Sequence, residues 1–302
     1  MKIDFIKVPM YYGSDRPGVE FGPDKIIQEG IEDIFNKNGI ITEVKEDTKV
    51  EIISEKEKYR DHESIKYLSP VTNAVEDLAD KVHDSLSKGN MPFVIGGDHA
   101  LAIGSLAGVS SILGDDFAIV WVDAHADIND TETSPSGNIH GMPLAASFGL
   151  GDDKLTNVYF KGHKIKPENI YILGARSVDE GEYDIIDKYG VNVWYMDDIH
   201  TKGVNKCLNE IIDDINNKGI NKVHFSYDID SMDISLVPGT GTPVEDGFDH
   251  EQSEIIIRKL IQTKLIKSID FVEYNPKKDI ENITLNSVLK MLNIFAEELG
   301  KY

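Results

Sequence analysis

The chain has 302 residues, with 31 Lys and Arg against 53 Asp and Glu, for a formal net charge of −22. That length can bury a sizeable core, and so acidic a surface repels nucleic acid and anionic membrane while drawing cations to any acidic cleft. The single cysteine, Cys207, excludes an intrachain disulfide and argues against a cysteine-ligated zinc site.

The chain opens on a strand-like run, Ile3-Asp-Phe-Ile-Lys-Val-Pro9, with no basic and apolar leader segment before it. Gly13 to Pro23 reads as a turn-rich loop, Pro23 suits the first turn of a helix, and helical periodicity follows from Asp24 to Asn36. Further apolar runs of strand length lie near residues 39–46, 92–96, 117–123, 169–174, 191–196, 222–229 and 266–273. Helical patterns separate most of them: Val71 to Leu86, Ala100 to Leu113, Val204 to Ile215 with Cys207 on its apolar face, and His250 to Ile261. A last amphipathic stretch, Ile280 to Leu299, suits either covering a sheet or contacting another subunit. Strand alternating with helix predicts an α/β fold with a mainly parallel sheet covered on both faces. No Pro/Gly/Ser-rich linker divides the chain, so a single domain over 1–302 is expected. No run approaches the ~18 apolar residues of a membrane span, and a soluble, cytoplasmic protein is expected.

Chemistry-bearing residues gather at the ends of these runs. Asp123-Ala-His125-Ala-Asp127 and Asp228-Ile-Asp230 each place potential metal ligands at every second residue, and on a strand such residues share one face. His99 follows Gly96-Gly97-Asp98, and Glu273 ends the run at 266–273. In open α/β sheets ligands bind beyond the carboxyl ends of the strands, so these four segments are expected at one edge. Four carboxylates are costly to bury without compensating cations. With two imidazoles they suit two adjacent divalent ions, which activate water for attack. The oxygen-rich set favours Mn²⁺, with Zn²⁺, Co²⁺ and Fe²⁺ as alternatives.

Gly96-Gly-Asp-His99, Asp123-Ala-His-Ala-Asp-Ile-Asn129, Ser226-Tyr-Asp-Ile-Asp230 and Glu273-Tyr-Asn-Pro276 together resemble the successive signatures of the ureohydrolases, the arginase and agmatinase family. The match begins at Gly18-Val-Glu-Phe-Gly-Pro23 and covers nearly the whole chain. The resemblance implies a three-layer α/β/α fold with an eight-stranded, mainly parallel sheet, two manganese ions per chain, and hydrolysis of a guanidino group to urea plus an amine. It assigns His99, Asp123, Asp127 and Asp228 to one ion and Asp123, His125, Asp228 and Asp230 to the other, with Asp123 and Asp228 bridging. The resemblance further implies that a hydroxide held between the ions would attack the guanidinium carbon, with Asp127 holding it in line. It likewise implies that Glu273 would pair with the substrate guanidinium and that His140 would shuttle a proton to the departing amine. The segment Ser134-Pro-Ser136-Gly-Asn138-Ile-His140-Gly-Met-Pro143 resembles the arginase loop, so L-arginine is the expected substrate and L-ornithine and urea the products. There Asn129, Ser134 and Ser136, with Asn138 in the same loop, serve the α-carboxylate. By the same resemblance Asp179 and Glu182 are expected near the α-amino group, and Thr242 beside the guanidinium.

Three positions depart from the family pattern. Asp233-Ile234 replaces a usual Asp-Pro, Val244-Glu-Asp-Gly247 replaces a usual pair of glycines, and Ser177 stands where an Asp is common. Asp at a glycine position is expected to disturb the loop near the guanidinium. The rival readings are a ureohydrolase acting on agmatine or a guanidino acid, and a catalytically idle homologue that binds arginine as a regulator. A homo-oligomer, trimer or hexamer, is expected from the resemblance.

Overall fold

Eight strands are present in the computed structural model, which describes residues 1–302: β1 (Lys2–Val8), β2 (Ile41–Val44), β3 (Met91–Gly96), β4 (Ala118–Val122), β5 (Ile170–Ala175), β6 (Asn192–Tyr195), β7 (Val223–Asp228) and β8 (Ile266–Val272). They form one sheet in the order β2-β1-β3-β8-β7-β4-β5-β6, with every neighbouring pair parallel. Each lies within or beside an apolar run named above. A parallel strand packed on both faces needs apolar side chains at successive positions, and β3, β4 and β5 are buried at every residue.

Alternate strand residues feed two cores. Phe93, Val120, Tyr171, Phe225 and Phe271 join one, together with helices Gly22–Gln28, Ile31–Lys37, Met196–Lys202, Val204–Asn217, His250–Gln262 and Ile283–Leu299. Val94, Ile119, Trp121 and Ile172 join the other, with helices Leu68–Ser87, Ala102–Leu113, Pro143–Ser147, Asp153–Thr156 and Glu180–Tyr189. Cys207 is buried in its helix. The last helix turns Val288, Met291, Leu292 and Phe295 onto the core, so its apolar face covers the sheet. The pattern expected as one helix over 24–36 is two, because Gly30 adopts φ 84° and breaks it. No helix is long and apolar enough to cross a membrane.

The topology makes a crevice at the centre of the sheet. β3, β8, β7 and β4 are neighbours. Yet the chain leaving β3 and β4 runs to one helical layer, and the chain leaving β7 and β8 runs to the other. Connections that part in opposite directions open a cleft above the strand ends. Register completes the alignment: Val122 pairs with Tyr227 and Asp228 with Val272. Asp123, Asp228 and Glu273 therefore emerge side by side.

A candidate binuclear metal centre

Both acidic motifs leave the sheet at their first aspartate. The Oδ1 of Asp123 accepts the His125 N–H at 2.7 Å, and the Oδ1 of Asp228 accepts the Asp230 N–H at 2.7 Å. These Asx turns differ from the strand alternation expected from the spacing: Ile229–Ser231 is a 3-10 turn, and Asp127 has φ 50°. Alternation acts two residues earlier. Trp121 donates Nε1–H to Asp123 Oδ2 at 3.0 Å and stacks on His99 with ring centroids 3.8 Å apart. Ser226 places Oγ 2.7 Å from His99 Nε2.

His99 Nδ1 lies 3.0 Å from Asp123 Oδ2, 3.2 Å from Asp127 Oδ2 and 3.1 Å from Asp228 Oδ2. His125 Nδ1 lies 3.3 Å from Asp123 Oδ1 and 3.4 Å from Asp230 Oδ2. The two oxygens of Asp123 thus face two different ligand groups, as a bridging carboxylate must. With Nε2–H assigned as donor to Ser226, His99 Nδ1 turns a lone pair toward three carboxylate oxygens. Nδ1 is buried without a hydrogen-bond partner, as is Asp230 Oδ1. Such electron-rich atoms repel unless cations lie among them. A six-coordinate divalent ion with ligands at about 2.0–2.5 Å holds adjacent donor atoms about 2.8–3.5 Å apart. The observed separations match, so the residues present fit two such ions.

The electrostatics agree. Burial opposes protonation of His99, but Asp123, Asp127 and Asp228 outweigh it and raise its pKa well above the ordinary value. His125 is raised in the same way, against burial, by Asp230 and Asp123. Burial and then the charges of Asp230 and Asp123 raise Asp228 strongly, while burial and Asp123 push Asp127 up to about 6. Asp98 is pushed up to about 7 by burial and Glu273, and Glu182 up to about 7 by burial.

A pH dependence follows for the metal-free protein. Asp98, Asp127 and Glu182 hold protons in the folded state that the unfolded chain has lost, so stability falls as pH rises from about 4 to 7. The stabilisation from protonated His99 and His125 is complete below their unfolded pKa and is lost as pH rises through the raised folded values. Metal competes for the same groups and binds better once they are deprotonated. The rise in Tm on adding Mn²⁺ is therefore expected to be larger at pH 8 than at pH 6; an equal rise at both, read by calorimetry, contradicts this electrostatic picture.

Glu273, His140 and Thr242 lie beside these groups, and the other expected site residues make contacts of their own. Glu273, at φ 70°, accepts the His99 N–H on Oε1 at 2.9 Å. Its Oε2 is buried without a partner and faces Gly241, where an added Cβ would stand 2.6 Å away. His140 Nδ1 is 3.7 Å from Glu273 Oε1; burial opposes its protonation, but Glu273, Asp127 and Asp98 raise its pKa. Thr242 donates to Asp230 Oδ2 at 3.1 Å. The Ser134 and Ser136 hydroxyl oxygens accept N–H groups from Gly137 (3.1 Å) and Asn138 (3.2 Å), which leaves each O–H free to donate outward. Asn129 donates to Asp179 Oδ2 at 2.9 Å, and its own Oδ1 is buried and unpartnered.

Asn138 and Glu182 are engaged within the protein. Asn138 Nδ2 donates to the Ser14 carbonyl at 2.9 Å and Oδ1 accepts from Lys66 at 2.8 Å. Glu182 accepts the Ile128 and Asp179 N–H groups, each at 2.9 Å, as one half of a capping box.

Two residues to which the sequence reading gave no role shape the site. Asp98 accepts the Gly13 N–H at 2.9 Å, and the Gly13 carbonyl accepts the His140 N–H at 3.1 Å, so Asp98 helps set His140. Its place before a helical pattern reads as a simple cap, which it also is. Arg176 donates to the carbonyls of Gly174, Asp230, Ser231, Met232, Val244 and Glu245, tying the 230–247 loop to the end of β5. Within that loop Asp246 adopts φ 62° and gives its N–H to Asp233 Oδ2 at 2.8 Å. Aspartate tolerates this conformation better than most residues, so the missing glycine leaves the turn closed.

The comparisons with known proteins agree with this fold. The family model described as "Arginase family" matches residues 1–295. The arginase of Bacillus subtilis is 39% identical over 96% of both chains. The crystal structure of Bacillus caldovelox arginase, 36% identical, superposes with a TM-score of 0.91 over 99% of this chain and 98% of that one. Entamoeba histolytica arginase, crystallised with L-ornithine, is 32% identical with a TM-score of 0.86 over 98% and 97% of the two chains. With its parallel eight-stranded sheet and paired His/Asp ligand groups, this chain belongs to the arginase family.

Proposed function

We propose that this chain hydrolyses L-arginine to L-ornithine and urea, using two manganese ions, as a single-domain, cytoplasmic protein that assembles into a homo-oligomer, a trimer or hexamer. The observation that carries the reading is the division of Asp123 between two ligand groups, Oδ2 toward His99 and Oδ1 toward His125. His99, Asp123, Asp127 and Asp228 would hold one ion, and Asp123, His125, Asp228 and Asp230 the other. When bound, the ions supply a water molecule of lowered pKa and balance the buried carboxylates.

The chain's own residues do the rest. Glu273 Oε2, buried and free, accepts N–H bonds from the planar guanidinium, while the His99 N–H fixes Oε1 and hence the direction of the carboxylate. Thr242 gives its proton to Asp230 and keeps oxygen lone pairs for a guanidinium N–H. Asp127 accepts a proton as water adds to the guanidinium carbon. His140 gives a proton to the departing δ-nitrogen and the carbon–nitrogen bond breaks; the adduct's remaining hydroxyl proton passes to the leaving amine, so neutral urea and an ammonium product depart, and the proton on Asp127 returns to His140. The free O–H groups of Ser134 and Ser136 donate to the α-carboxylate, with Asn129 beside them. Asn138 holds that loop in place. Asp179 faces the α-amino group, and Glu182 keeps the start of its helix in register.

Urea release from L-arginine, agmatine and 4-guanidinobutyrate, assayed side by side, tests the substrate assignment. Turnover of arginine at least about tenfold more efficient than that of agmatine is expected from loss of the carboxylate contacts. Preference for agmatine overturns the assignment, and binding of arginine without urea release favours the idle regulator.

A further inference from the structure

The carboxylate-recognising loop contains no cation of its own: Ser134, Pro135, Ser136, Gly137 and Asn138 are all neutral. In a chain of net charge −22, an anionic group gains little from neutral donors alone. A charge does reach the loop from elsewhere. The Lys66 main-chain N–H donates to the Gly137 carbonyl at 3.0 Å, and its ammonium donates to Asn138 Oδ1 at 2.8 Å. The Lys66 side chain is only 15% exposed, so this charge is weakly screened by solvent.

Lys66 belongs to a cluster with a charge imbalance. Its ammonium lies 3.1 Å from Asp15 Oδ2, and the Lys58 ammonium lies 3.1 Å from the same oxygen. Two cations share the one largely buried carboxylate; Glu55, 3.5 Å from the Lys58 ammonium, is 81% exposed and its charge is screened by solvent, so positive potential predominates beside the loop. Tyr67 donates to Asp15 Oδ1 at 3.1 Å and adds no charge. The ring closes through Asn138 Nδ2, which donates to the Ser14 carbonyl at 2.9 Å. Gly137, at φ 68°, presses so close to Ser64 that an added Cβ would meet its carbonyl oxygen at 1.9 Å.

We propose that Lys66 is a specificity-determining positioning residue: through Asn138 it supplies the positive potential that makes this loop favour a substrate carrying a carboxylate. The inference rests on the arginine-hydrolysing reading above. Lys66 contacts none of the metal ligands among its hydrogen bonds and ion pairs. Its effect therefore falls on substrate binding and leaves the chemical step alone.

The test uses the full-length manganese-loaded enzyme. Lys66→Met is expected to raise KM for L-arginine about tenfold, the size of one partly screened charge, with kcat within about twofold. The inhibition constant of L-ornithine should rise in parallel, and that of putrescine, which lacks the carboxylate, should not. Lys66→Arg should restore most of the loss. Asp15→Asn, which removes the carboxylate and leaves both ammonium groups, should lower KM for arginine or leave it unchanged.

Equal weakening of ornithine and putrescine binding, an unaltered KM in Lys66→Met, or a tenfold higher KM in Asp15→Asn would each overturn the proposal, the last by making the cluster a mechanical clamp. An unmutated enzyme with no urea release from arginine would instead overturn the parent reading. The two failures are thus distinct.

Discussion

Asp123→Ala is expected to strip the chain of both metal ions and to reduce urea release to background. Asp123 is fully buried and serves both ligand groups at once: Oδ2 is 3.0 Å from His99 Nδ1, and Oδ1 is 3.3 Å from His125 Nδ1. It also accepts the His125 N–H and the Trp121 indole N–H, so the change releases the turn that aims His125 and leaves a buried indole donor unpaired. Loss of an outer partner typically costs 10–100-fold in metal affinity, and loss of a ligand common to both ions should cost more than about 100-fold at each. Metal content by mass spectrometry after dialysis, with urea release on the same samples, checks it. Retention of two ions per chain would show that Asp123 does not bridge.

Asp127→Asn separates metal binding from chemistry. The amide keeps the shape of the side chain and one carbonyl oxygen toward His99, which Asp127 Oδ2 approaches to 3.2 Å. It loses the negative charge and the ability to take a proton. A positioned general base contributes about 10²–10⁴-fold to rate, so kcat should fall by that factor with KM nearly unchanged and most of the metal still bound. The backbone at Asp127 sits at φ 50°, a conformation that asparagine adopts at least as easily, so the exchange should not disturb the fold. A variant with wild-type kcat would remove Asp127 from the proton-transfer role, and one that loses all metal would make it chiefly a ligand.

The fold was legible because its signal is local. Strands buried on both faces must be apolar at nearly every position, and runs such as Ala118–Val122 carry that requirement in five consecutive residues. The candidate metal-holding groups were legible for a related reason: the turns after Val122 and at the end of β7 place aspartates at fixed short spacing, which one sequence displays.

The outer partners were harder to see, since they depend on segments far apart in the chain. Ser226 meets His99 from 127 residues away, and Lys66 meets Asn138 from 72. Trp121 and Ser226 did leave a trace, each standing two residues before a ligand aspartate and so on its side of the strand. Arg176 left none, because its partners are main-chain carbonyls, which any residue supplies. The spacing also misled about cause. Asp123/His125 and Asp228/Asp230 converge through Asx turns rather than strand alternation, and both arrangements show the same two-residue period.

The most direct measurement is a titration of metal-stripped protein with Mn²⁺, following bound metal per chain and urea release from L-arginine on the same samples. Activity that rises to a plateau at two manganese ions per chain, with little at one, is the expected result. Full activity in the stripped protein, or a plateau at one ion per chain, would contradict a paired-ion centre built from His99, Asp123, His125, Asp127, Asp228 and Asp230.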